Sequence, residues 1–111
     1  MEGIRLNDEK YDKMVKRILE NLQPYFKLQK INTIYSIQVV DNPYQKKYNF
    51  FFVIAKKKQR TRSIPIGILH DYRMEALEEL CHQLKQKVDF TLRFENFEAQ
   101  TWDDGRKIYD I

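Results

Sequence analysis

The sequence predicts a single α+β domain over residues 1–111. It expects a mostly antiparallel sheet of about five strands in the order α-β-β-β-α-β-β, with two helices packed on one face. Three observations carry this. Two segments repeat apolar residues at spacings of three and four, the period of an amphipathic helix. Several others alternate apolar and polar residues with period two, the pattern of a half-buried strand. Short turn signals, not long linkers, separate the strands, which favours antiparallel pairing. A chain of 111 residues with 14% aromatic and 42% hydrophobic content can fill one core and not two.

The first helix is expected from Asp8 to Leu22, capped by Asn7, with Tyr11, Met14, Val15, Ile18, Leu19 and Leu22 as its apolar stripe. Pro24 ends it, or allows one further turn through Tyr25, Phe26 and Leu28. A strand follows over Ile31–Val40, and Asp41-Asn42-Pro43 reads as a turn. The next strand, Lys47 to about Lys57, is apolar on both faces. Tyr48, Phe50, Phe52 and Ile54 point one way, and Phe51, Val53 and Ala55 the other. That pattern predicts a central strand covered on each side. A short third strand, Thr61–Ile66, belongs at an edge because Pro65 cannot donate to a ladder, and Gly67 then breaks the chain. The second helix is expected over Asp71–Lys87, its early acids and late lysines suiting the helix dipole. Phe90, Leu92 and Phe94 alternate as a strand. Asp104-Gly105 predicts a hairpin leading to a last strand over Arg106–Ile111.

Charge is distributed unevenly. The net charge is +4, yet no Asp or Glu occurs between Asn42 and His70. That stretch holds Lys46, Lys47, Lys56, Lys57, Lys58, Arg60 and Arg62 and so carries +7. The remainder, with thirteen basic against sixteen acidic residues, carries −3. Like charges crowded in a hairpin repel one another, and a polyanion relieves that repulsion while releasing its own counterions. Contact with nucleic acid phosphates through these seven residues is therefore the expected function, DNA and RNA not being distinguished. The plainer reading is a solvated loop that keeps a sticky strand from pairing edge to edge.

Tyr44, Tyr48, Phe50 and Phe52 lie beside the cations. Aromatic rings there can stack bases, or form a surface for a partner or a second copy. In a central strand such rings are otherwise core. A protein-interaction module is thus the alternative function, acting as a homodimer, on an acidic partner, or as a regulator of a nucleic-acid-processing protein.

No catalytic constellation is expected. Cys81 sits on the apolar stripe of the second helix, and one cysteine supports neither a disulfide nor a cysteine-based zinc site. His82 points about 100° away from Cys81 around that helix. Ser36 and Ser63 lack a nucleophile context, and there is no glycine-rich phosphate loop. No cofactor and no metal are expected. The opening residues Met1–Leu6 carry no apolar targeting core, and the apolar run Phe50–Ala55 is far shorter than the ~18 residues of a membrane span. A cytoplasmic protein without membrane contact is expected.

The helix, three-strand meander, helix and strand are similar in order to the core of the PD-(D/E)xK nucleases. That resemblance implies an Asp, then an acid two residues before a Lys, holding a divalent cation. Asp41 and Lys56 would take the outer roles, but the acid position is Ile54, and Ala55 or Lys56 if Lys57 or Lys58 is used instead. An active nuclease is therefore not expected. The order is also similar to small secretion-chaperone-like domains, which dimerise, and to the α-β-β-β-α core of double-stranded-RNA-binding domains. The lysine cluster opening the second helix of the latter is replaced here by His70-Asp71-Tyr72-Arg73-Met74-Glu75. Order alone implies no function.

Overall fold

Helix α1 extends over Glu2–Leu22 in the computed structural model, which describes residues 2–26 and 31–111, with side chains from Tyr11 onward. Asn7, expected as the N-cap, lies inside the helix. Only Gly3 in the preceding segment opposes helix formation, at a cost of about 1 kcal/mol, and Pro is absent there. Tyr11, Val15, Ile18 and Leu22 form the buried stripe. Pro24 ends the helix within a single 3-10 turn, Gln23–Tyr25. Leu28, expected in a further turn, is outside the described residues.

Strands β1 (Thr33–Asn42) and β2 (Lys47–Lys56) pair antiparallel over their full length. Asp41 and Asn42, expected in the turn, are the last rungs of this ladder, opposite Tyr48 and Lys47. The turn is 43–46. Its closure uses the Asn42 side chain, which accepts the Gln45 amide at 3.2 Å, and Lys46 adopts φ +52°. Strand β3 (Arg62–Leu69) pairs antiparallel with β2 and forms an edge, as Pro65 requires. It runs through Gly67 instead of stopping there. Phe51 pairs with Pro65 but Phe50 with Gly67, so Ile66 is the extra residue of a bulge and is buried in the core. Gly67 is needed at that point, since a Cβ there would lie 2.8 Å from Ile18 Cγ1 of α1.

Helix α2 (Met74–Lys85) is shorter than expected, because Asp71–Arg73 form the connection into it. Strand β4 (Thr91–Glu95) then pairs parallel with β1. The sheet is thus four-stranded and mixed, in the order β3-β2-β1-β4, not five-stranded and antiparallel. The reason is the helix between β3 and β4. It returns the chain to its starting end, so β4 must run parallel to β3, and hence to β1.

The Asp104-Gly105 turn does form, with Gly105 at φ +90° and Trp102 N–H donating to the Arg106 carbonyl at 2.9 Å. Only one bridge, Thr101 to Lys107, follows it. The expected last strand is absent. The tail runs beside β4, where Leu92 and Ile111 exchange both backbone hydrogen bonds, at 2.9 and 3.3 Å.

One buried cluster joins both helices, the inner sheet face and residues Phe97 and Trp102. Tyr48, Phe50, Phe52, Ile54, Ile37, Val39 and Leu92 supply the sheet side of it. The other face departs from the expectation of two-sided cover. Its residues stand outside the buried cluster: Ile34 (71%) and Ile68 (38%) are exposed, Val40 and Phe51 are half-buried, and Ser36 and Val53 are buried.

Candidate nucleic-acid interface

Five of the seven predicted cations come together, and two do not. Lys56 ends β2, Lys57, Lys58 and Arg60 lie in the turn, and Arg62 begins β3. The turn is held by Gln59 N–H donating to the Lys56 carbonyl (3.1 Å), with Lys58 in the left-handed region at φ +62°. Lys57 N–H donates to the Asn32 carbonyl at 3.0 Å, extending the ladder past the end of β1. These contacts shape an open concavity of about 460 Å³ lined by Asn32, Thr33, Lys56, Lys57 and Lys58, with Ile31 at its side. Lys46 and Lys47 stand at the other end of β2, nine steps of ~3.3 Å away, roughly 30 Å. A strand keeps its ends apart, so the seven cannot form one patch.

None of the five is neutralised by a carboxylate among the described residues. The ion pairs there involve other arginines: Arg73 with Asp71 (2.6 Å) and Glu75 (3.1 Å), Arg93 with Asp110 (3.9 Å), and Arg106 with Asp104 (2.6 Å) and Glu78. Among the described residues, the side-chain partner of the group is aromatic. The Arg62 guanidinium lies 5.9 Å from the centroid of the Tyr25 ring.

The helix dipoles are aligned along the strands. Asn21 Nδ2 donates to the Ile66 carbonyl (2.9 Å) and Ile18 meets Gly67, so α1 runs opposite to β3, as α2 does. Both helices therefore direct their C-terminal ends, with the partial negative charge of the last carbonyls, toward the basic turn. This offsets part of the self-repulsion of the cations. Asp41, Asp71, Glu75, Glu95 and Asp103 occupy the opposite half, together with the cations Lys46, Lys47 and Arg73.

In that half the buried Asp41 carboxylate accepts from the Tyr72 hydroxyl (2.7 Å) and from Gln100 Nε2, and its backbone carbonyl accepts from Asn96 Nδ2 (2.9 Å). Burial first, and then the hydrogen bond to Asp41, pushes the Tyr72 hydroxyl up to about 12. Burial, with the nearby Asp41 charge, likewise raises Tyr48.

The aromatic residues divide. Tyr48 is 2% exposed and Phe50 and Phe52 are 0%, so these three fill the core and present nothing to a partner. They point inward because their face is the one the helices cover. Tyr44, in the turn, is 97% exposed. The exposed ring that meets one of the five cations stands where the charge pattern did not point, at Tyr25. Its contact with Arg62 is a pairing of distant residues that periodicity does not encode.

Other candidate groups do not assemble. The register places Asp41 opposite Tyr48 and Lys56 opposite Thr33, so the outer members of the nuclease triplet stand at opposite ends of the sheet. Cys81 is 1% exposed and its thiol is raised by burial, whereas His82 faces solvent and contacts Gln86 at 3.2 Å. Among the described residues no three His, Cys, Asp or Glu side chains gather into a metal-holding group. No described helix is long and apolar enough to cross a membrane. Compared with known protein families, curated proteins and solved structures, the chain finds no match.

Proposed function

We propose that the protein is a non-catalytic binding module that holds nucleic acid phosphates with Lys56, Lys57, Lys58, Arg60 and Arg62. The observation that carries this reading is five cations around one turn and its concavity, without a carboxylate partner among the described residues. Lys46 and Lys47 are left out of the site by their distance. The mechanism is electrostatic: phosphates displace condensed counterions, with little dependence on base sequence.

A mobility-shift titration at increasing salt tests it. Wild-type affinity should fall steeply with salt. The exposed triple variant Lys57→Ala/Lys58→Ala/Arg60→Ala should bind more weakly, with a log–log salt slope shallower by about 2 to 3. Lys46→Ala/Lys47→Ala should leave both quantities unchanged. A wild type with no affinity for DNA or RNA at low salt ends the proposal.

A second reading is supported by a separate observation, the exposed apolar side chains of Ile34 and Ile68 on the outer sheet face, beside half-buried Val40 and Phe51. This protein-interaction surface lies on the opposite side from the one the sequence suggested. Sedimentation of wild type and Ile34→Asp tests it. A wild-type dimer that the substitution dissociates supports a second copy on this face, and a wild-type monomer at high concentration removes that reading.

A further inference from the structure

We infer that the basic pole takes single-stranded nucleic acid, stacking a base against the Tyr25–Arg62 pair while the lysines of the concavity hold the adjoining phosphates. The inference rests on the phosphate-binding reading above and adds to it the form of the nucleic acid.

Apolar side chains are exposed among the cations. Tyr25 keeps 38% of its surface in water, and Ile31 keeps 84%. Phe26, next to Tyr25, is by contrast packed edge-on against Tyr35 and Phe90, at 5.1 and 5.2 Å, so the backbone beneath Tyr25 is anchored while its own ring stays outside the core. Arg62 lies over that ring, and its partner across the ladder, Ile54, is buried. A phenol ring with a guanidinium 5.9 Å from its centroid forms a cationic aromatic site, joined to the sheet at one side and to the end of α1 at the other. Flat π-systems of this kind stack nucleobases without regard to sequence.

A duplex keeps its base faces inside its own stack and offers only edges and phosphates. A single strand leaves faces free to settle on a ring. Apolar side chains left in water among cations are matched by a ligand that alternates charge with flat apolar groups, as a single strand does. An anionic membrane also combines charge with apolar matter, but it is met by a protruding surface. Here the lysines line a concavity, which suits a chain.

The test compares a single-stranded oligonucleotide, in deoxyribose and ribose form, with an abasic strand of equal length, a duplex, and phosphatidylserine-containing vesicles. The based strand should bind at least about fivefold more tightly than the abasic one, the range expected for one stacked base. Tyr25→Leu should reduce that ratio to near one without changing abasic affinity, and Tyr25→Phe should preserve it. Tyr25 lies outside the core, so these variants keep the fold. Equal affinity for based and abasic strands, a duplex bound as tightly as the single strand, or a ratio indifferent to Tyr25→Leu overturns the stacking inference and leaves phosphate binding standing. Vesicle binding that oligonucleotide does not displace also overturns it. Failure to bind either strand overturns both readings.

Discussion

At the scale of single residues, Asp41 shows how a buried carboxylate is held by neutral donors. It is 3% exposed, and neutral donors from Tyr72 and Gln100 occupy its two oxygens. Removing a donor from such a group costs more than an average hydrogen bond, because the charge stays buried. Tyr72→Phe should therefore lower stability by about 1–2 kcal/mol, read as a shift of the urea midpoint.

The same contact sets a pH dependence. The Tyr72 hydroxyl stands at about 12 in the folded state, above the ordinary tyrosine value near ~10 of the unfolded chain. A raised value means that the folded state holds its proton more tightly. The stabilisation is complete below pH ~10 and is lost as pH rises toward ~12. Wild-type stability should decline across that window, and Tyr72→Phe should decline less steeply. Gly67 is constrained from the other direction. Adding a methyl 2.8 Å from Ile18 Cγ1 forces α1 off the sheet, so Gly67→Ala should cost about 1–3 kcal/mol in chemical denaturation.

At the scale of elements, the buried residues and the antiparallel β1-β2-β3 meander were legible, and the placement of β4 was not. The spacing of Tyr11, Val15, Ile18 and Leu22 marks α1, and the alternation of Phe50, Phe52 and Ile54 marks the inner face of β2, because burial imprints its period on the sequence. The parallel placement of β4 leaves no such imprint: Leu92 and Phe94 alternate the same way beside a parallel or an antiparallel neighbour. The signal available was the position of α2 between two strands, which makes a crossover.

The C-terminal hairpin failed for a similar reason. Asp104-Gly105 encodes the turn, but Phe97 and Trp102 are drawn into the core, and the flanking backbone follows them instead of forming a ladder. That segment is anchored by packing, with Trp102 edge-on to Phe94 at 5.6 Å. Trp102→Ala should cost about 3–5 kcal/mol, measured as a shift in the denaturation midpoint. In the candidate interface, the cation cluster was readable because five of its members lie within seven residues, whereas Tyr25 reaches Arg62 across 37 positions of chain.

At the scale of the whole molecule, charge and fold share one axis. The helices and the uneven sequence charge place the cations of the β2–β3 turn at one end and most of the carboxylates named above at the other. Crowded cations carry a cost to the free protein that salt screens, since the Debye length is ~10 Å at 0.1 M. Lys57→Ala/Lys58→Ala/Arg60→Ala should therefore melt at a higher temperature than wild type at low ionic strength, and the difference should shrink as salt is added. Calorimetry at two salt concentrations reads this directly, and a triple variant less stable at low salt would mean that the three side chains hold the turn together.

The strand order has a further consequence for how the chain is made. β1 receives its second neighbour from residues 91–95, near the far terminus, so a nascent chain that has completed β1, β2 and β3 still shows an unsatisfied backbone edge along β1. Until β4 slots in, that edge can recruit any extended segment nearby, including β1 of another molecule. β4 thus works as a stopper for β1, and a ribosome stalled before residue 91 would release a product prone to stick to its own kind.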